Sequence, residues 1–377
     1  MSDKSLMIVA GESSGELYGA HLVKELKKIM PTIALFGIGG AKMEKAGVEI
    51  LQRCENLAVV GLSEVISKLP AVIRAQKKLI KRVKTKPPEG VILIDFPDFN
   101  LHLAKKLKPL KIPIIYYISP QVWAWRRSRI KQIGQLVDKM LVILPFERNI
   151  YYNSGIPAEF VGHPLVDMVK AHLNRKAFCK KYKLSDDRPI ISFLPGSRDK
   201  EVKRLLPSIL ESISIINRCS DAHFILQLAE WINQNDIDKY INAFKDKGNI
   251  VVGDAYNVIK NSDIVVVASG TITLESALLG TPMVVLYRLS TPTYFIARLI
   301  VKIKYISLVN LLAGELIVTE LIQNEVKGEN IASEVMKIWE NPTKQEEMKE
   351  KFNTIKKSLG NGGASTRAAQ IIAESIL

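Results

Sequence analysis

Cysteine is scarce. Three residues (Cys54, Cys179, Cys219) in 377 are too few and too scattered for a disulfide framework or a thiolate metal site, which points to a reducing compartment. No apolar run approaches the roughly 20 residues that a bilayer-crossing helix needs. No Arg-rich leader or cleavage site precedes the first apolar strand, so a soluble, cytoplasmic chain without a secretory signal is expected. Acidic residues are the other shortage, 38 against 53 Lys and Arg, giving a net charge of +15. A basic surface suits a polyanion, whether nucleic acid, an anionic membrane or a phosphorylated substrate. The excess is uneven: residues 1–165 carry 25 basic and 14 acidic side chains, residues 166–377 carry 28 and 24, so whatever the charge attracts meets mainly the first half.

What is present is ordinary globular composition, 47% hydrophobic and 24% charged, which excludes a disordered or collagen-like chain. The length suits two domains. Short β-branched runs alternate with helical periodicity, the grammar of a parallel α/β sheet. Strands are predicted at Leu6 to Ala10, Ile33 to Ile38, Val91 to Asp95, Ile114 to Ile118, Met140 to Leu144 and Glu159 to Val161. The grammar restarts at Ile190 to Leu194, Phe224 to Leu228, Ile250 to Val252, Ile264 to Val267 and Met283 to Leu286. This predicts two doubly wound, Rossmann-like domains, 1–165 and 166–345, with helices 346–377 packing back on a first domain, its own or a partner's. Ligands of such sheets bind beyond the carboxyl ends of the strands, so a cleft between the two sheets and the residues just after each strand become the places to search.

Gly11-Glu12-Ser13-Ser14-Gly15 follows the first strand and spells the nucleophile elbow of a serine acyl hydrolase, which His163 with Asp95 or Asp98 could complete. No strand precedes it to supply the usual oxyanion loop, so a small-residue turn at Ser13, Ser14 and Gly15 whose backbone N–H groups receive a ligand's hydroxyls or phosphate is the better reading. Gly37-Ile38-Gly39-Gly40 lacks the third glycine of a dinucleotide fingerprint, since position 42 is Lys. In Val91-Ile92-Leu93-Ile94-Asp95-Phe96-Pro97-Asp98-Phe99-Asn100, a buried strand delivers Asp95 among aromatic residues that raise its proton affinity, as a general base requires. Asp98 is the runner-up as base and the better candidate for the cap of a helix starting near Asn100.

Gly196-Ser197-Arg198 lies after the strand that opens the second domain; a glycine turn feeding a helix, with one guanidinium, suits a diphosphate. Ser269-Gly270-Thr271 repeats that arrangement, and Glu275 stands one turn further, where it can accept the two hydroxyls of a ribose. Asp236-Ile237-Asp238 has a metal-binding spelling, but a helix predicted over Trp231 to Phe244 would splay the two carboxylates, so no metal is expected. Residues 58–86 place Val65, Ile66, Leu69, Val72 and Ile73 before a run of Lys and Arg, the make-up of an interfacial amphipathic segment, which is the favoured reading, and also of a core helix followed by a solvated one. A nucleic-acid binder finds only the pI in its favour, since no recognition module is present.

The set GESSG, IDFPDFN, ISPQVWAWR (Ile118 to Arg126), LPFE (Leu144 to Glu147), GHP, LPGSR, ASGT..LE and SLVNLLAGE (Ser307 to Glu315) resembles the lipid-A-disaccharide synthase family, over nearly the whole chain. Glu16 stands where that family usually has Asp, and Val309 where it often has Pro. The resemblance implies a GT-B fold and a peripheral membrane enzyme of lipid A and lipopolysaccharide biosynthesis, on the inner face of the cytoplasmic membrane. Its implied reaction moves the sugar of UDP-2,3-diacylglucosamine, with inversion, to the 6-hydroxyl of 2,3-diacylglucosamine 1-phosphate. The same resemblance places Asn310, Glu320 and Gln323 near the donor, His163 on the acceptor side, and Trp123 and Trp125 at acyl chains or membrane, and it allows a homodimer. UDP-sugar is then a substrate, and no cofactor is expected. Other GT-B proteins using UDP-N-acetylglucosamine-type donors, such as the peptidoglycan lipid II transferase or an epimerase, are the neighbouring alternatives.

Overall fold

The computed structural model describes residues 4–57, 62–122, 128–300 and 303–376; for Ser13, 62–68, 296, 297, 299 and 300 only the backbone is described. It divides into two compact units, Met1–Asp167 with Leu359–Leu377, and Met168–Ser358. Residues 346–358, expected with the returning helices, therefore stay in the second unit. Their helix, Pro342–Ser358, buries Met348, Phe352 and Ile355 against the unit's other helices.

The first unit is a seven-stranded parallel sheet: β1 (Ser5–Ala10), β2 (Ala34–Gly39), β3 (Val48–Arg53), β4 (Gly90–Ile94), β5 (Ile114–Tyr117), β6 (Lys139–Val142) and β7 (Ala158–Phe160). Their order is β3-β2-β1-β4-β5-β6-β7. β1 and β4 are buried on both faces, as expected for central strands covered by helices. The strand order reverses between β1 and β4, where Ala10 pairs with Ile94. The turns after these two strands, at Gly11 and Asp95, therefore meet at the topological switch point where ligands of such sheets bind. β3 escaped the sequence reading because VEILQR mixes polar and apolar residues at a sheet edge and is fully buried only at Val48.

The second unit repeats the plan with six parallel strands, β8 (Ile190–Leu194), β9 (His223–Leu228), β10 (Asn249–Val252), β11 (Ile264–Ala268), β12 (Met283–Tyr287) and β13 (Glu320–Ile322). Their order is β10-β9-β8-β11-β12-β13. Its switch point lies between β8 and β11, with Leu194 paired to Val267, so the LPGSR and ASGT turns emerge side by side.

The last helix, Ala364–Ile376, packs on the helix Ser13–Ile29 of the first unit. Asp167 receives the backbone N–H groups of Gly363 (2.9 Å) and Ala364 (3.3 Å), and Arg367 donates to the Val161 carbonyl at 2.9 Å. Among the described residues no helix is long and apolar enough to cross a membrane.

Candidate functional site

At the first switch point the backbone is strained. Asp95 and Phe96 follow β4 with φ of 43° and 51°, a left-handed pair that non-glycine residues adopt only when their surroundings over-determine it. Here they do. The Asp95 carbonyl accepts from Asn100 Nδ2 at 2.7 Å and from the buried Tyr116 hydroxyl at 2.5 Å. The Phe96 ring stacks on Phe99 with centroids 5.1 Å apart and fills the space where a Cβ at Gly11 would come within 2.1 Å of it. Gly11 is therefore glycine to admit Phe96. The strained turn that a nucleophile elbow needs lies at Asp95, whereas Ser13 simply opens a helix.

This turn holds the Asp95 carboxyl half-buried and pushes it up to about 7, mainly through desolvation and secondly through the negative charge of Glu12; a hydrogen bond from the Phe96 backbone pulls the other way. Asp98 behaves differently from the expected cap. The helix starts at Pro97, with Phe96 at its N-cap, so Asp98 falls inside the first turn, where its exposed carboxylate pairs with Arg129. Ser14 is half-buried and Gly15 is buried against Ile94. His163 is buried, its ring edge-on to Tyr18, and Nδ1 accepts from the Leu165 N–H at 3.2 Å. Desolvation pushes its pKa down to about 3, so the ring is neutral and serves packing at the base of the Gly162 turn. The Gly39-Gly40 turn is closed by the protein itself: Glu16 Oε1 accepts the Lys42 N–H at 2.7 Å, and a Cβ at Gly40 would strike that carboxylate.

At the second switch point the two expected anion turns are unequal. Gly270 leads into the helix Thr271–Leu279, whose N-terminus receives no side-chain cap, and a Cβ at Gly270 would meet nothing within 4 Å. The Ser269 N–H is committed to the Leu286 carbonyl at 2.8 Å and its hydroxyl donates to the Ile306 carbonyl at the longer distance of 3.5 Å, which leaves the N–H groups at the start of the helix, and the hydroxyl once turned, for a ligand. Ser197 and Arg198 are exposed, and Gly196 has φ of +113°. Glu275 is pushed up to about 7 by desolvation, eased by a hydrogen bond from the Tyr256 hydroxyl at 3.2 Å. The sequence reading missed Tyr256, and also Trp231, an exposed indole that donates to the Ser197 carbonyl at 2.8 Å. Both stand just past strand ends, β10 and β9, which is the one signal that could have flagged them.

Asn310, Glu320 and Gln323 hold the protein's own loops. Asn310 is fully buried; its Oδ1 accepts from Ile317 and Val318 N–H (2.8 and 3.0 Å), and its Nδ2 donates to the Val318 carbonyl and to Glu320 (both 2.8 Å). All four of its hydrogen-bonding sites are spent. Glu320 also receives the Ile306 and Ser307 N–H groups at 2.9 Å and the Ser307 hydroxyl at 2.7 Å. Gln323 brackets Leu289, accepting its N–H at 2.6 Å. These three shape the loops beside Ser269; in this structure Asn310 has nothing left to offer a donor sugar.

The predicted helix over Trp231 to Phe244 begins only at Asp238, and Asp236 sits in a preceding 3₁₀ turn, paired with Lys203 at 3.2 Å. The divergence of two carboxylates along one helix therefore does not apply to this pair. A cavity of about 560 Å³ bordered by Arg175, Arg188, Asp263 and Trp339 opens at the amino ends of β8 and β11, the opposite sheet edge from the turns. In the helix Leu62–Thr85, Leu69 and Ile73 are exposed at 50% and 43%, and Val72 packs partly on the core. Exposed Arg74, Lys77, Lys78, Lys81 and Lys84 follow them. The side chains of Val65 and Ile66, and Trp123 and Trp125 entirely, lie outside the described residues.

The chain matches the family model described as lipid-A-disaccharide synthetase over residues 6–375. It is 40% identical over 375 residues to the lipid-A-disaccharide synthase of Geobacter metallireducens, covering 99% of this chain and 98% of that one. The corresponding protein of Nitrosococcus oceani is 42% identical over 367 residues, covering 97% and 95%. Among solved structures, a putative UDP-N-acetylglucosamine 2-epimerase from Listeria monocytogenes superposes with a TM-score of 0.67 at 14% identity, covering 100% of this chain and 97% of that one. The Neisseria meningitidis UDP-GlcNAc 2-epimerase bound to UDP-GlcNAc gives 0.66 at 16%, covering 98% and 100%; at such identities the likeness shows the shared GT-B fold. With the family model spanning both sheets and relatives matching end to end, the chain belongs to the lipid-A-disaccharide synthase family.

Proposed function

We propose that the chain moves 2,3-diacylglucosamine from UDP to the 6-hydroxyl of 2,3-diacylglucosamine 1-phosphate, with inversion, forming the β-1,6 disaccharide 1-phosphate and UDP. An inverting transfer is one in-line displacement. It needs a base on the acceptor hydroxyl and positive charge on the departing diphosphate. The observation that carries the assignment is the Asp95 turn: a carboxylate raised to about 7, fixed by a strained backbone at the switch point of the first sheet. A base with that proton affinity is well matched to neutral pH. Asp98, exposed and paired with Arg129, is the poorer base.

On the donor side, Arg198, the Ser269 hydroxyl and the N–H groups after Gly270 would hold the diphosphate, and Glu275 would accept the ribose hydroxyls. Ser13 and Ser14 would meet the sugars from the first unit. No metal is assigned a role, so a chelator should leave the rate unchanged. Leu69 and Ile73 beside a row of exposed Lys and Arg support docking of the first unit on an anionic membrane, where the acylated substrates reside. On this reading the enzyme would work at the inner face of the cytoplasmic membrane.

Incubating the protein with UDP-2,3-diacylglucosamine and the acylated sugar phosphate in detergent, then looking by mass spectrometry, should reveal the disaccharide 1-phosphate and UDP. Formation of a 2-epimeric UDP-sugar without disaccharide would replace this reading with that of an epimerase.

A further inference from the structure

The two anion turns of the second unit differ in one respect that the transfer reaction does not require. The turn at Gly270 opens on free space, whereas the turn at Gly196 already holds an anion, the protein's own Glu201. This residue lies in the first turn of the helix Asp199–Ile216. Its Oε2 lies 2.1 Å from where a Cβ at Gly196 would be, the space that glycine leaves open at φ +113°. The carboxylate lies close enough to the Ser197 N–H for that dipole to favour its ionised form, and this N–H is one of the donors that the diphosphate would otherwise take. The same peptide is fixed from its other end by the Trp231 indole on the Ser197 carbonyl at 2.8 Å.

We infer that Glu201 is a resident anion in the diphosphate turn, and that nucleotide binding proceeds with its protonation, so that UDP affinity is coupled to proton uptake. The inference rests on the nucleotide reading above and specifies how that site is regulated. The groups facing Glu201 are Arg198 on the turn, Arg204 on its own helix and the Tyr287 phenol at the end of β12. Arg204 is also tied to the Arg288 carbonyl at 3.1 Å. The two guanidiniums favour the ionised carboxylate, but burial outweighs them and raises its proton affinity. An incoming diphosphate adds negative charge beside it and claims Arg198, and both effects raise that affinity further. Below the pKa of Glu201 in the free protein the proton is already present and binding costs nothing extra. Above it, each rise in pH weakens binding until the carboxylate stays ionised in the complex as well. High pH therefore favours release of UDP.

The experiment is isothermal titration of the full-length protein with UDP from pH 6.5 to 9, in two buffers of different ionisation heat. The range lies above the phosphate's own second ionisation near about 6. Wild-type protein should take up protons on binding and lose affinity as pH rises. Glu201→Gln, which keeps an acceptor for the Ser197 N–H, should take up fewer protons and bind UDP roughly tenfold more tightly at pH 8.5, the equivalent of one pKa unit. Glu275 also titrates near this range, so the difference between wild type and variant is the quantity read. Equal affinity and equal proton count in the two proteins would overturn the inference, as would weaker UDP binding by a Glu201→Gln protein of unchanged melting temperature. Failure of the nucleotide reading looks different: wild-type protein would then bind no UDP, or bind it with an affinity indifferent to Arg198→Ala.

Discussion

Asp95 and Glu275 occupy equivalent places in the two sheets. Each follows the strand beside the first one, β4 next to β1 and β11 next to β8, and each is pushed up to about 7 with desolvation as the largest cause. Their surroundings then part. Asp95 sits on a strained turn, with another carboxylate, Glu12, as its second influence. Glu275 sits one turn into a regular helix and receives a phenol hydrogen bond from Tyr256. Similar proton affinity thus arises with and without a side-chain donor. A carboxylate held by backbone alone is free to take a proton from an acceptor hydroxyl, whereas one already aligned by a donor is arranged to recognise hydroxyls.

The largest expected effect separates these two roles at once. Asp95→Asn should lower turnover about 10²–10⁴-fold, the usual contribution of a general base, while UDP affinity stays within about twofold. The same substitution should stabilise the fold at alkaline pH. The folded-state pKa of about 7 lies above the ordinary 3.8, so the folded protein holds this proton more tightly than the unfolded chain does. Stability contributed by the neutral form is complete below about pH 4 and is lost as pH rises through about 7. At pH 8 the variant should therefore exceed wild type by on the order of 1–2 kcal/mol, discounted for the carboxyl's partial access to water, and the two should converge near pH 4. Thermal melts across that range check it. Near-normal turnover would move the base to Asp98.

Most of the site's framework could be read from the residues because buried parallel strands are continuous apolar runs, and the turns after VILI and IVVV announce themselves by composition. What could not be read depends on partners distant in sequence. Asn310, Glu320 and Gln323 are polar residues close to the donor turns in the chain's layout, yet they are spent on backbone groups of Ile306, Ser307, Val318 and Leu289. A sequence records which residues can hydrogen-bond but not which backbone groups lack partners. Helix boundaries failed for a related reason: Pro97 can open a helix because its missing N–H would have had no partner there, so the helix begins earlier than its apolar periodicity indicates.

Glu275→Gln asks whether the second carboxylate recognises ribose. It removes the charge and keeps the shape, so UDP affinity should fall by about tenfold, the worth of a hydrogen bond to a charged acceptor. Binding of 2′-deoxy-UDP should change much less, because one of the two hydroxyls in question is absent. Equal losses for both nucleotides would mean that Glu275 holds the turn and not the sugar, and would remove the contrast with Asp95.

The smallest effect tests whether the phenol is what distinguishes the pair. The Tyr256 hydrogen bond lowers the proton affinity of Glu275 against the larger effect of burial. In Tyr256→Phe that counterweight is gone, so the Glu275 pKa should rise and a larger fraction of the carboxyl should be protonated at pH 7. A protonated carboxyl accepts ribose hydroxyls less well, so UDP affinity at pH 7 should drop about threefold, within the usual net worth of one neutral hydrogen bond. Raising the pH to 8.5 ionises Glu275 again and should restore most of that loss, whereas a loss of packing would persist at both pH values. The comparison is therefore made on the ratio of wild-type to variant affinity at the two pH values. A ratio that does not change with pH would show that Tyr256 acts on Glu275 through shape alone.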